Sequence, residues 1–299
     1  MLPIGTEREN MKLEKELIDY LNLTGSTLKT STILMHQRHI THICNACREL
    51  KINSLKKLEL NHGYLLVDWL KKNTNNGNNS INKIMRYLKS VLIHYKILST
   101  FNDFKLLPSD TKPFKRFYQD ELEIVIQFVD QMAYTKNSLI YKTLVFLLLD
   151  SGMRLSEALN IKIENIDFTT YTILLTQTKT SKVRIAPFSD FSFESIRKLI
   201  ERNPSREYLF FNFLKNRRVS KNDVKLFYRR LQEKTGIKKI HSHRFRKTFG
   251  SKLAENGMPI QYIQTIYDHS RLETTMIYIN YRENQALEEY KKYHRNWVS

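Results

Sequence analysis

The stretch SHRFRKTFGSKLAENG, residues 242–257, decides how the chain is read. Phe245, Phe249 and Leu253 recur at i, i+4 and i+8, the spacing of one buried stripe along an α-helix. Ser242 stands where a cap belongs, and Gly257 where a helix stops. His243 and Arg246 lie three apart, so they are neighbours on the helix surface. An imidazole beside a guanidinium can clamp a phosphate. By itself the pair is also what any solvated basic face shows, and His241 with Arg244 offers a second, overlapping His-x-x-Arg.

Three further segments carry chemistry-bearing residues. In DSGMRLSEALNIKIENID, residues 150–167, Gly152 suits the end of the preceding helix and Ser156 the start of a short one. Arg154 lies between them, with Glu157 near enough to orient it or to cap local amides. YTILLTQTKTSKVRIAPF, residues 171–188, has two β-rich arms around a polar centre and predicts a hairpin, with Lys179 and Lys182 at its tip. A lysine there is either simply solvated or a mobile proton donor. In DHSRLETTMIYIN, residues 268–280, Ser270 and Glu273 form a capping box, so a helix starts just after His269. Tyr278 falls about two turns along it, as a packed aromatic or as a nucleophile, with Tyr281 beyond.

Around these segments the chain reads as helical in its first third and mixed thereafter. Helices are expected over 10–23, 30–50, Asn61–Lys72 and Ile81–Thr100, with a loop at KNTNNGNNS, residues 72–80. LLPSDTKPFKRF, residues 106–117, has two prolines among polar residues and reads as a linker. Further helices are expected at Gln119–Met132, Ser138–Asp150, Phe193–Arg202, Asn222–Lys234 and Ser242–Asn256, and a last one within ENQALEEYKKYH. The expected fold is mainly α, with domains at 1–108 and 118–299 joined by a linker at 109–117; the second domain mixes helices with a small β-hairpin.

Composition bounds the function. The 299 residues carry a net charge of +19, with 17 Lys+Arg against 10 Asp+Glu in residues 1–112 and 32 against 20 in the remainder. An excess spread over folded domains points to a polyanion partner, with nucleic acid first. The longest apolar run, Leu144–Leu149, is far too short to cross a bilayer. No signal-peptide core opens the chain, and two cysteines make no disulfide framework, so a cytoplasmic protein with no membrane partner is expected. HQRHITHICNAC, residues 36–47, suggests metal, but one straight helix presents two ligands on a face where zinc needs four. No metal is expected there; the histidines and Arg38 are read as a DNA-facing side.

In order and spacing these motifs resemble the tyrosine recombinase (phage integrase) family. The resemblance covers roughly residues 114–285, and the helical first domain is compatible with the family's core-binding domain. SGMRLSEALNI matches the first arginine motif and places catalytic arginine and acidic support on Arg154 and Glu157. The hairpin lysine falls on Lys179, with Lys182 the weaker choice. The second arginine motif has a glycine eleven residues after its arginine, which Gly257 satisfies for Arg246; this selects His243 and Arg246 over His241 and Arg244. The family's Leu-Gly-His becomes Tyr267-Asp268-His269, and the tyrosine nine residues later is Tyr278. Phe245 for leucine and YDH for LGH are the departures.

The resemblance implies site-specific DNA strand exchange through a 3′-phosphotyrosine, with no cofactor and no metal. It implies a homotetramer on two double-stranded DNA sites, with accessory proteins in some members. Residues Gln285–His294 would dock on a neighbouring protomer. No additional N-terminal arm-binding domain is expected, which favours a simple recombinase of the Xer, resolvase or small-integrase type. Two other readings use the same fold: a topoisomerase-like relaxing enzyme, and a non-catalytic DNA-binding regulator.

Overall fold

The structure is a computed structural model that describes residues 4–110, 116–132, 135–176, 183–202 and 204–267. The chain divides into two compact units, Met1–Pro113 and Phe114–Ser299. The first unit is helical and the second is helical with two small antiparallel sheets.

The first unit comprises α1 (Ile4–Gly25), α2 (Thr30–Glu49), α3 (Leu60–Asn73) and α4 (Asn78–His94). Leu17 and Leu21 of α1, Ile43 of α2, Leu66 of α3 and Leu88 of α4 are buried in one core. Each such side chain contributes roughly 1.5–3 kcal/mol. The Tyr87 hydroxyl donates to the Leu17 carbonyl at 2.9 Å and fixes α4 against α1.

Three boundaries differ from the sequence reading. α1 starts six residues earlier than the expected position 10, because Ile4–Asn10 carries no apolar stripe for periodicity to detect. α4 starts at Asn78, inside the expected loop. There the asparagines hold the chain that follows: Asn78 donates to the Pro108 carbonyl at 3.1 Å, and Asn82 exchanges two bonds with Leu107 at 2.8 and 2.9 Å. α4 ends at His94, not Thr100, because Lys96 takes a left-handed backbone at φ 51°.

The expectation that the α2 histidines lie on an exposed side is overturned for His39. His39 is buried, and the half-buried His36 ring stacks on Tyr87 at 4.7 Å; Arg38 is exposed. Burial, then the neighbouring His36, His42 and Lys83, lowers the His39 pKa from 6.5 to about 4. Cys44 and Cys47 are free and buried, and burial pushes both thiols up to about 12. Among the described residues no group of His, Cys, Asp or Glu could hold a metal ion.

A pH dependence follows. The unfolded His39 imidazole takes up a proton near pH 6.5, and the folded one only near 4. Its contribution is therefore fully present above 6.5 and is lost as pH falls from 6.5 toward 4. The loss is on the order of 3 kcal/mol. Urea midpoints measured across that window should fall steeply in the parent and clearly less in His39→Leu.

The second unit is built round α6 (Lys136–Ser151), flanked by α5 (Gln119–Asp130), α8 (Asp190–Glu201) and α10 (Ser242–Glu255). α6 is apolar on most sides, with Leu144, Val145, Leu147 and Leu148 all fully buried. The short α7 (Leu155–Ala158) follows it. β1 (Ile166–Asp167), β2 (Thr172–Leu175) and β3 (Arg184–Pro187) then form an antiparallel sheet in the order β1-β2-β3. The expected hairpin thus gains a third strand; its centre, with Lys179 and Lys182, lies outside the described residues. β4 (Phe211–Asn212) and β5 (Arg217–Arg218) form a second ladder, too short for alternation to reveal. α9 (Lys221–Thr235) precedes α10.

α8 starts at Asp190, three residues before the expected Phe193, because Ser189 caps it. Ser189 is itself held by the Asp150 carboxylate through N–H and hydroxyl at 2.6 and 2.7 Å. Ser242 is not the cap of α10: His241 holds that position, and the Ser242 hydroxyl pairs with the Tyr228 hydroxyl at 3.0 Å. An unanticipated helix, α11 (Ile260–Tyr267), follows Pro259. No described helix is long and apolar enough to cross a membrane.

Gly152 closes α6 in a left-handed conformation at φ 59°. A Cβ there would collide with the Phe249 ring and lie 2.7 Å from Tyr267. Gly152→Ala is therefore expected to cost about 2–4 kcal/mol, from backbone strain plus overpacking. A urea melt of that variant checks it.

Candidate active site

Gly152 reverses the chain at the end of α6 and delivers Arg154 to the N-cap of α7. Glu157, three residues on, turns back: one carboxylate oxygen accepts the Arg154 amide at 2.7 Å and the other its guanidinium at 2.8 Å. The Glu157 side chain is fully buried, and that of Arg154 retains 20% exposure. Glu157 thus aims an arginine whose end still reaches solvent.

A second guanidinium completes this centre. Arg184 opens β3 opposite Leu175 and points inward with Ala186, where alternation ordinarily places an apolar residue. It donates to Glu157 at 2.6 Å and to the Ile266 carbonyl at 2.6 Å. One carboxylate therefore joins α7 to the sheet, and Arg184 carries the link on to the last turn of α11. Burial alone pushes the Glu157 carboxyl up. Arg184 beside it and hydrogen bonds from Arg154 and Arg184 outweigh this and hold it below the usual carboxylate range.

The two overlapping His-x-x-Arg registers separate in space. Arg244 is turned to the segment entering α5: it donates to the Arg116 carbonyl at 3.2 Å and the Lys238 carbonyl at 2.9 Å, pairs with Glu121, and lies 4.1 Å over the Phe117 ring. Arg246, two residues later, is turned the other way. It donates to the Gly152 carbonyl at 2.5 Å and the Tyr267 carbonyl at 3.0 Å. The structure thus brings Arg246 to the junction that bears Arg154 and leaves Arg244 in a separate buried network. His243 is exposed in the first turn of α10, one turn before Arg246.

Arg154, Glu157, His243 and Arg246 are placed by the second unit, whereas Lys179, His269, Tyr278 and Tyr281 lie outside the described residues. Arg184 was missed by the sequence reading, and Tyr267 was noted there only as a departure from the family pattern. The signal for Arg184 was present, as a charge at an inward position of the predicted hairpin. Arg154 and Arg184 share one carboxylate and Arg246 is held by the Gly152 carbonyl two residues before Arg154, which leaves a local excess of positive charge that suits an anionic group such as a phosphate. A separate cavity of about 480 Å³, lined by Phe128, Met132, Tyr141, Leu226 and Phe227 among others, shares none of these residues.

Comparison with known proteins shows the family to which the chain belongs. The sequence profile of the phage integrase family matches residues 115–285. A probable integrase/recombinase of Acholeplasma phage L2 is 49% identical over 283 residues, covering 95% of this chain and 98% of that one. The tyrosine recombinase XerC of Leptospira interrogans is 28% identical over 222 residues, covering 70% of this chain and 71% of its own. In fold, the chain is similar to the Tn1549 transposon integrase, solved with a circular intermediate DNA: TM-score 0.78, 20% identity, 93% of this chain and 98% of that one. It is also similar to a lambda integrase dimer bound to a core site, with TM-score 0.72, 15% identity, and 93% and 81% coverage. The chain belongs to the phage integrase family: it is a tyrosine recombinase, an enzyme that breaks and rejoins DNA strands.

Proposed function

We propose that the second unit performs strand exchange at specific double-stranded DNA sites, with Tyr278 as nucleophile. The Tyr278 oxygen attacks a backbone phosphate and forms a 3′-phosphotyrosine, and the 5′-oxygen leaves with a proton from Lys179. His243 accepts the tyrosine proton, and His269 donates a hydrogen bond to the phosphate. Arg154 and Arg246 bind the non-bridging oxygens and stabilise the charge of the pentacoordinate transition state. Attack by the 5′-hydroxyl of a second strand, with the proton transfers reversed, releases the enzyme and closes the exchange. Each step replaces one phosphoester by another, so neither nucleotide nor metal is called for.

The observation that carries this reading is the fixing of two arginines at one junction: Glu157 aims Arg154, and Arg246 grips the carbonyl of Gly152 two residues before it. A phosphodiester, whose single negative charge is shared by two non-bridging oxygens, is the ligand that such a pair fits. The Tn1549 integrase, solved with a circular intermediate DNA, and the lambda integrase, solved on a core site, support a duplex as the substrate. A homotetramer on two sites, with Gln285–His294 docked on a neighbour, accounts for exchange between sites, and accessory proteins fit some tasks of that kind.

A plasmid bearing two copies of the DNA that flanks the gene tests the function. Recombinant circles are the expected product. Relaxed circles without exchange would favour the relaxing enzyme, and tight binding without either product the non-catalytic regulator.

A further inference from the structure

The Tyr267 ring is fully buried at the end of α11 and meets Arg246 at three points. The guanidinium carbon lies 4.0 Å from the ring centroid. The Tyr267 carbonyl accepts an Arg246 N–H at 3.0 Å, and the Tyr267 hydroxyl donates to the Arg246 backbone carbonyl. Two glycines leave room for it. A Cβ on Gly250, one turn along α10 from Arg246, would lie 2.5 Å from the tyrosine hydroxyl and 2.8 Å from its ring. A Cβ on Gly152 would lie 2.7 Å from the same ring.

We propose that Tyr267 is a positioning residue for the recombination reaction: it fixes the plane in which the Arg246 guanidinium meets the scissile phosphate. This rests on the role given above to Arg246. The carbonyls of Gly152 and Tyr267 hold two edges of the guanidinium, and the Tyr267 ring lies over its face. The aromatic face attracts the guanidinium through its negative quadrupole and so favours one plane for it, an attraction strengthened by burial. A leucine, the residue that the family pattern carries here, fills space but has no such face. Tyr267 touches no reacting atom in this account; it acts through Arg246.

The test uses single-turnover cleavage of a nicked duplex carrying either an ordinary scissile phosphate or a methylphosphonate. In the latter a methyl group replaces one non-bridging oxygen and removes the single negative charge, so a correctly aimed guanidinium matters less. Tyr267→Leu is expected to cleave the phosphate about thirtyfold more slowly than the parent, and the methylphosphonate at nearly the parental rate. Arg246→Ala provides the reference pattern. Tyr267→Phe keeps the ring and should stay within about fivefold of the parent on both substrates.

A leucine variant at the parental rate on phosphate would overturn the inference, as would one equally slow on both substrates. Tyr267→Met is run in parallel and read in the same way should the leucine protein not fold. If neither aliphatic variant folds, Tyr267 is structural and the inference falls. A parent that forms no covalent adduct overturns the proposed function and this inference with it, whereas a cleaving parent beside an unimpaired leucine variant overturns the inference alone.

Discussion

Tyr278→Phe is expected to abolish covalent attachment to DNA while leaving DNA binding unchanged. The substitution removes one oxygen and keeps the ring. Contacts made by the ring are retained, but the atom that would bond to phosphorus is gone. Since a covalent intermediate is the only route by which this mechanism keeps the phosphoester available for rejoining, no residual exchange is expected. The loss should reach the detection limit, because enzymes typically accelerate their reactions by at least ~10⁶-fold. Gel shift and strand-exchange assays on one protein preparation separate binding from chemistry. Tyr281→Phe, three residues on in sequence, should leave both unchanged. The non-catalytic regulator predicts no effect from either substitution.

Glu157→Ala is expected to be the most damaging change within the described residues. It leaves Arg184, with a side chain 7% exposed, without its carboxylate partner, and removes the acceptor of the Arg154 amide at the start of α7. Breaking a buried ion pair from one side costs about 3–5 kcal/mol. It also frees the Arg154 guanidinium, and a misplacement of about 1 Å at a reacting centre costs roughly 10²-fold in rate. Urea unfolding and single-turnover cleavage should therefore both fall. Glu157→Gln, of similar size, should recover much of the stability. The pH dependence gives an independent check. Because the folded Glu157 pKa lies below its unfolded value, its contribution is present above the ordinary carboxylate range and is lost as pH falls through the folded pKa. The glutamine variant should lose less stability over that acid range than the parent.

What the sequence disclosed follows from the range of the interactions involved. α6 was legible because an apolar segment with a glycine after it is a local signal. The stripe Phe245, Phe249 and Leu253 was legible for the same reason. Its partner was not: Phe249 and Leu253 are half-buried against Ile263 and Tyr267 of α11, a helix of eight residues that gave too short a pattern. The inward turn of His36 and His39 depends on Tyr87, far along the chain, so spacing on α2 alone pointed them the wrong way. The arginine pair was legible as residues, while its arrangement was not. That Arg244 and Arg246 face different networks is decided by Glu121 and Arg116 on one side and by Gly152 and Tyr267 on the other. Arg184 shares Glu157 from a position 27 residues away, a coupling that only the folded chain reveals.

The most direct measurement is the identity of the residue that carries DNA. The protein would be mixed with nicked duplexes from the DNA flanking its gene, denatured and digested, and the peptides searched by mass spectrometry for a nucleotide remnant. The account predicts a remnant joined through a 3′-phosphate to Tyr278 and to no other residue. A remnant on Tyr281, or none on any peptide while the DNA remains tightly bound, would contradict it.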